Sequence, residues 1–210
     1  ILLGDALFVD RFTYNFINPK AGDPAVFRTG TIDQFNRELG TFSQNPDMNR
    51  TGEDKYYIKR LVGEPGDELQ LTVPEKFHTN KYTGNQNFAN LVVRGDPGFL
   101  GRNGQPISGC IAFDENRLFV ESLINDPNAT SENGYPGYRA EGLMADGETV
   151  IIPTKNSPGN PTGQNAYFAM GDNSTNSLDG RAWGFVPENA IIGRALLIYY
   201  PFTKRWGFAN

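Results

Sequence analysis

The chain is poor in the residues on which most hydrolytic and redox sites are built. It holds one cysteine, Cys110, and one histidine, His78. One cysteine makes no internal disulfide, so an oxidising compartment is neither required nor excluded. One histidine builds no multi-histidine metal site. His78 lies in the polar run Lys76-Phe77-His78-Thr79-Asn80, which reads as an exposed loop rather than a catalytic base. Histidine-assisted serine or cysteine catalysis is therefore poorly supplied. Basic residues are also scarce: 19 Lys and Arg stand against 24 Asp and Glu, a net charge of −5, which argues against a nucleic-acid partner. No run approaches about 18 apolar residues, so no transmembrane helix is offered. The chain has no initiator Met and opens abruptly at Ile1-Leu2-Leu3-Gly4-Asp5, which reads as the interior of a segment from a longer protein.

What is present points to β-structure. The 15 Phe and 9 Tyr can fill a substantial core. With 24 Gly and 14 Pro, turns are frequent, favouring many short strands over long helices. At 210 residues there is room for one large or two small domains. Ala6 to Phe12 suits a strand. Residues 15–31 read as a loop. Thr31 to Gly40 is the best helix candidate, a short surface insertion with Thr31 as cap and Gln34 at the capping-box position.

Lys55-Tyr56-Tyr57-Ile58-Lys59-Arg60-Leu61-Val62 has a strong strand pattern. Gly63-Glu64-Pro65-Gly66-Asp67 ends it, with the Pro-Gly pair of a type II turn. Glu68 to Val73 then alternates, with Leu69, Leu71 and Val73 on one face. Further on, Leu91 to Val93, Leu118 to Glu121 and Thr149 to Pro153 read as strands, with a hairpin turn at Asn103-Gly104. Residues 125–142 are Asn-, Gly- and Pro-rich and read as exposed; Asn156 to Gln164 reads as flexible. Ala190 to Tyr200, the most apolar run, reads as a strand buried on both faces.

The richest stretch is Tyr167 to Pro187. It opens as an apolar strand, passes through a dense polar run and closes on Trp183-Gly184-Phe185-Val186-Pro187. Taken alone it is either a tight loop, since Gly, Asn, Asp and Ser suit turns, or a rigid site presenting Asp172, Ser177, Asp179 and Arg181.

Three stretches in this order resemble the bacterial type I signal peptidase (leader peptidase) family. They are Gly4 to Arg11, Tyr57 to Asp67, and Gly171-Asp172-Asn173 through Asn176-Ser177 with Asp179, Arg181, Trp183-Gly184 and Val186-Pro187. Together they cover about a quarter of the chain. The resemblance implies an all-β, mostly antiparallel fold with a short helix: a catalytic domain from residues 1–74 and 154–210, and a second β subdomain from 75–153. It implies a serine–lysine dyad with no metal or other cofactor. Lys59 matches the lysine base, which must be neutral to accept a proton. An ordinary lysine titrates near 10.4, so burial among apolar neighbours has to lower it. Ser177 matches a hydroxyl that orients the amine. Asp172 matches an acid that pairs with Arg60, and Asp179 with Arg181 matches a second ion pair; with Gly171 and Asn173 they hold the stretch rigid. Ile1, Leu7, Tyr57 and Ile58 match positions that line pockets for small side chains.

The substrates so implied are signal peptides of exported preproteins with Ala-x-Ala-like ends, lying extended beside the strands. The implied location is the bacterial cytoplasmic membrane, with the catalytic domain on its outer side and N-terminal transmembrane helices as anchor. The chain departs from the family's pattern in three places. The family's nucleophilic serine falls about five residues before Ile1 in that register, so a chain beginning at Ile1 is expected to be inactive. Gly180 stands where serine is common, and Ser174 where a basic residue is common. The alternative is a non-catalytic relative that binds peptides or assists surface-protein assembly. The aromatic tail Tyr199 to Phe208, with Trp206, reads either as a lipid-headgroup contact or as plain packing of a terminal strand.

Overall fold

The computed structural model describes residues 6–45, 48–72, 88–94, 138–139, 141–145, 148–171, 177–200 and 207–208. His78, Cys110, the Asn103-Gly104 turn, the strand read at 118–121 and Trp206 lie outside the described residues.

The fold is mostly antiparallel sheet with a few short helices. The first sheet contains β1 (Ala6–Asp10), β2 (Pro24–Arg28), β3 (Tyr56–Gly63), β8 (Ala166–Met170), β9 (Val186–Pro187), β10 (Ile191–Tyr200) and β11 (Gly207–Phe208). Its order is β1-β10-β2-β3-β8-β9, with β11 on β10. The second holds β4 (Glu68–Thr72), β5 (Phe88–Arg94), β6 (Tyr138–Arg139) and β7 (Thr149–Ile151), in the order β6-β5-β4-β7. The helices are α1 (Ile32–Glu38), α2 (Thr41–Gln44) and α3 (Gly180–Trp183).

The turn at 63–67 joins the two sheets. Asp67 N donates to Glu64 O at 3.1 Å, and Gly66 has a φ of 97°, as a type II turn requires at that position. Gly66 N also donates to Ile152 O at 2.9 Å, which ties the turn to the chain leaving β7.

The β2–β3 pairing runs without a break from Arg28↔Tyr56 to Pro24↔Arg60. Side chains alternate along such a ladder, so Tyr57 and Lys59 share one face while Ile58 and Arg60 share the other. The first face carries the core of Ala25, Phe27, Ile32, Leu61, Tyr167, Ala169, Trp183, Val186 and Ala190. The second carries Val62, Phe168 and Met170, which meet Leu69, Met144, Val150 and Ile152 from the region of the second sheet.

Three expectations need correction. The run at 190–200 is not buried on both faces: Leu196, Tyr199 and Tyr200 are exposed. Core meets only part of the strand: Ile191 packs against the Phe27 cluster and Ala195 and Ile198 against Val26, while the C-terminal end is left open. Strand β8, by contrast, is buried throughout and has core on both sides. Second, α1 is not a surface insertion. Ile32 and Phe35 enter the two cores, and buried Asn36 reaches across to residue 185. Its Nδ2 donates to Phe185 O at 2.8 Å and its Oδ1 accepts from Phe185 N at 2.8 Å. Thr31 makes no side-chain cap, since its own backbone is already helical, and Gln34 bonds Glu38 instead. Third, 156–164 is stitched rather than flexible. Asn160 donates to Thr154 O and Gln164 O and accepts from Thr162.

Replacing Asn36 by Ala removes both bonds to the backbone of buried Phe185 at once. Such a loss costs on the order of 1–3 kcal/mol. Asn36→Ala should therefore unfold at lower denaturant concentration than the parent, with an unchanged slope. An unshifted midpoint would contradict this role.

Candidate active site

Lys59 projects from the middle of β3, half-buried. Its Nζ lies 2.9 Å from Ser177 Oγ, with the amine donating, across 118 positions of sequence. The Tyr57 ring, two residues back on the same face, has its centroid 5.8 Å from Nζ, within cation–π range.

Gly171 follows β8 directly and makes this approach possible. A Cβ placed there would overlap the Ser177 side chain and come to 3.4 Å from Lys59 Nζ. Residue 171 therefore has to lack a side chain. Its N–H donates to Asp179 Oδ2 at 3.0 Å.

Asp179 caps α3 and is fully buried, as is Arg181 to within 1%. Arg181 Nε donates to Asp179 Oδ1 and Nη2 to Oδ2, each at 2.9 Å. This is the planar, two-pronged geometry that suits a guanidinium and a carboxylate. Asp179 Oδ1 also accepts from Arg181 N at 3.2 Å, and Arg181 Nη2 donates to Ser177 O at 3.3 Å. The residue that presents its hydroxyl to Lys59 is thus held by its carbonyl from behind.

Arg60 is buried on the opposite face, and its Nη1 donates to Gly22 O at 2.7 Å. Asp172, matched as its partner, lies outside the described residues, as do Asn173 and Ile1. Leu7 and Ile58 pack together with Val9 against Val26, Ala195 and Ile198. The structure therefore brings together Lys59, Ser177, Gly171, Asp179, Arg181 and Tyr57. Ile58 and Leu7 form a separate apolar group on the other face of the sheet.

Sequence reasoning missed Glu141, whose Oε1 lies 3.5 Å from Arg181 Nη1. It sits in a Gly-rich stretch read as exposed, and no local signal marks it. Among the described residues no group of His, Cys, Asp or Glu could hold a metal ion.

A family model described as "Signal peptidase, peptidase S26" matches residues 1–200. The chain belongs to the signal peptidase S26 family. It is 26% identical over 215 residues to the signal peptidase I of Aquifex aeolicus, covering 95% of this chain and 70% of that protein. It is 27% identical over 229 residues to the signal peptidase I of Buchnera aphidicola subsp. Acyrthosiphon pisum, covering 97% and 65%. It is also similar to the "Probable signal peptidase I-1" of Synechocystis, 26% identical over 204 residues, covering 97% and 66%. The chain thus spans about two thirds of the length of these signal peptidases.

Gly171→Ala should push the Ser177 hydroxyl off the lysine. The expected outcome in a crystal structure of the variant is an Nζ–Oγ separation beyond about 3.5 Å, the limit of a hydrogen bond. Finding the original 2.9 Å contact with an ordered alanine methyl would refute the close-approach account.

Proposed function

We propose that this chain is the lysine-bearing part of a serine endopeptidase that removes N-terminal signal peptides from exported preproteins. The observation that carries this reading is the Lys59–Ser177 contact of 2.9 Å, set against a glycine and a buried ion pair, in a member of the signal peptidase family.

The roles follow from the chemistry. The nucleophile, by the resemblance, is a serine hydroxyl N-terminal to residue 1. Neutral Lys59 accepts that proton as the hydroxyl attacks the scissile carbonyl. The protonated amine then passes the proton to the leaving peptide nitrogen. Water hydrolyses the acyl-serine in the second half, with Lys59 again as base. Ser177 contributes no bond-making. It holds the amine lone pair in line by occupying one of its hydrogen-bond positions. The nucleophile's own backbone N–H supplies half of the oxyanion hole. Asp172 pairs with Arg60, and with Asn173, Gly171, Asp179 and Arg181 it keeps the wall rigid.

The substrate lies extended beside the strands, with Ile1, Leu7, Tyr57 and Ile58 lining pockets for small side chains by the resemblance; of the described three, Tyr57 shares the face of Lys59, and Leu7 and Ile58 supply the other face. The segment 75–153 forms a second unit inserted into a catalytic domain of residues 1–74 and 154–210.

Membrane placement fits the β1 edge of the first sheet. Phe8, Phe12, Phe16, Ile17, Tyr199, Tyr200 and Phe208 are all exposed around β1, β10 and β11. Phe8 stacks on Tyr199 at 4.7 Å between centroids and Phe12 on Phe16 at 4.8 Å. Aromatic residues are enriched at the headgroup level of bilayers. No helix among the described residues is long and apolar enough to cross a membrane. The proposed setting is the outer side of the bacterial cytoplasmic membrane, with this aromatic edge against the lipid.

Two experiments test the proposal. The first uses the protein extended N-terminally through the segment matched to the nucleophile, and a peptide with an Ala-x-Ala end. Lys59→Ala should lose about 10²–10⁴-fold in turnover, the usual worth of a general base. Ser177→Ala should lose less, because it orients the base without exchanging a proton. A base must be neutral, so cleavage should fall as pH drops and Lys59 protonates. An extended protein that binds the peptide without cutting it would replace this reading by the peptide-binding alternative. The second is flotation with anionic liposomes: Phe12→Ser/Phe16→Ser should recover less protein in the lipid fraction than the parent, and equal recovery would remove the membrane face.

A further inference from the structure

Arg181 is gripped a second time, from the side of the second sheet. Residues 141–144 form a tight turn, with Glu141 and Met144 bridged and Met144 N donating to Glu141 O at 3.1 Å. Met144 is fully buried beside Val62, Leu69, Val150 and Phe168, which anchors the turn in the shared core. Leu143 N donates to Arg181 O at 2.8 Å. Gly142, at a φ of +55°, passes so close that a Cβ would overlap the Arg181 carbonyl oxygen. Glu141 Oε1 lies 3.5 Å from Arg181 Nη1. One turn therefore meets the arginine at both ends, backbone and guanidinium.

The guanidinium passes that constraint on. It is a rigid plane with donors on three edges. One edge meets Asp179, Nη2 reaches the Ser177 carbonyl, and Nη1 faces Glu141. The two Asp179 bonds set the plane, and Glu141 at Nη1 adds a third point that resists its tilting, and so steadies the direction in which Nη2 holds Ser177. The Ser177 hydroxyl in turn meets Lys59 Nζ.

We propose that Glu141 is a positioning residue for the lysine–serine pair, acting through Arg181. Its kinetic consequences rest on the peptidase reading; the mechanical link does not. The pair is no strong source of stability. The Glu141 side chain is 37% exposed, and pairs that reach solvent contribute little. Its effect falls on geometry, where small displacements are costly to catalysis.

The test uses the N-terminally extended protein. Glu141→Ala should lower kcat about tenfold with KM unchanged. Glu141→Gln should keep most of the activity, because its amide oxygen can take the same place beside Nη1. Glu141→Asp, one methylene shorter, should fall between and serves where Glu141→Ala does not fold. Glu148→Ala, an exposed carboxylate of the same region, is the control and should match the parent.

Amide hydrogen exchange supplies a readout that needs no activity. Exchange at Gly171 and Arg181, whose N–H groups bond Asp179, should quicken in Glu141→Ala while β10 keeps its protection. Parent-like kcat and parent-like exchange at Gly171 would overturn the proposal. Faster exchange spread equally over β10 would also overturn it, leaving Glu141 a general stability role. If the extended parent does not cleave, the peptidase reading fails, and exchange at Gly171 alone decides the role of Glu141.

Discussion

The carboxylate of Asp179 is the point on which this site depends. It is fully buried, and burying a charge is costly unless every lone pair is used. Here four N–H groups converge on it: two from the Arg181 guanidinium, one from the Arg181 backbone and one from Gly171. Removing one partner of such a pair typically costs about 3–5 kcal/mol, because the other charge is left stranded. That penalty enforces geometry. The end of β8, the start of α3 and the Ser177 carbonyl cannot drift apart without exposing or orphaning a charge. A loop of small polar residues, whose ordering is entropically costly, is thereby closed at its base.

The sheets supply the other half of the constraint. Lys59 has to stand on a strand whose neighbours cannot move. It is the cross-strand partner of Ala25 on β2, and the next residues pair with β8, as Arg60↔Met170 and Leu61↔Ala169. Strand β8 is buried on both faces, so it transmits position from one core to the other. One core holds Trp183 and Phe27 behind Tyr57; the other holds Phe168 and Phe185 against the residues around the second sheet. The lysine comes from the strand, and the hydroxyl from the loop that leaves the neighbouring strand. They meet because Gly171 leaves the space between them empty.

The strand carrying Lys59 and the turn after it were legible because their signals are local. Alternation marks 55–62, and Pro65-Gly66 announces its turn. The antiparallel class was legible for the same reason: frequent Gly and Pro chop the chain into short strands. The pairing of Lys59 with Ser177 rested on resemblance, since nothing local links residues 118 positions apart. Asn36 was unreadable because a polar side chain inside a helix looks solvent-facing; its partner, the backbone of Phe185, leaves no mark in sequence. Glu141 failed the same way, in a stretch whose composition reads as exposed. The run at 190–200 misled because an unbroken apolar segment looks alike whether its outer face meets protein or solvent. That exposed end, with Tyr199 and Tyr200, belongs to the edge proposed above to meet lipid.

Reading the loop alone would make Ser177 the nucleophile. The surroundings of its side chain argue otherwise. The hydroxyl lies against the backbone of Gly171, where even a methyl group would not fit. Its carbonyl is held by Arg181, and its oxygen meets the lysine amine. A nucleophile must present a lone pair to a substrate carbonyl at about 3 Å, with that carbonyl's oxygen free to enter an oxyanion hole. A hydroxyl packed against main chain offers little room for such an approach. It is well placed to fix where the amine points. On the proposed roles, a site that spends one serine on orienting its lysine takes its attacking oxygen from another hydroxyl. On this reading the loop's work is to hold the base, and the attacking oxygen has to come from elsewhere in the polypeptide.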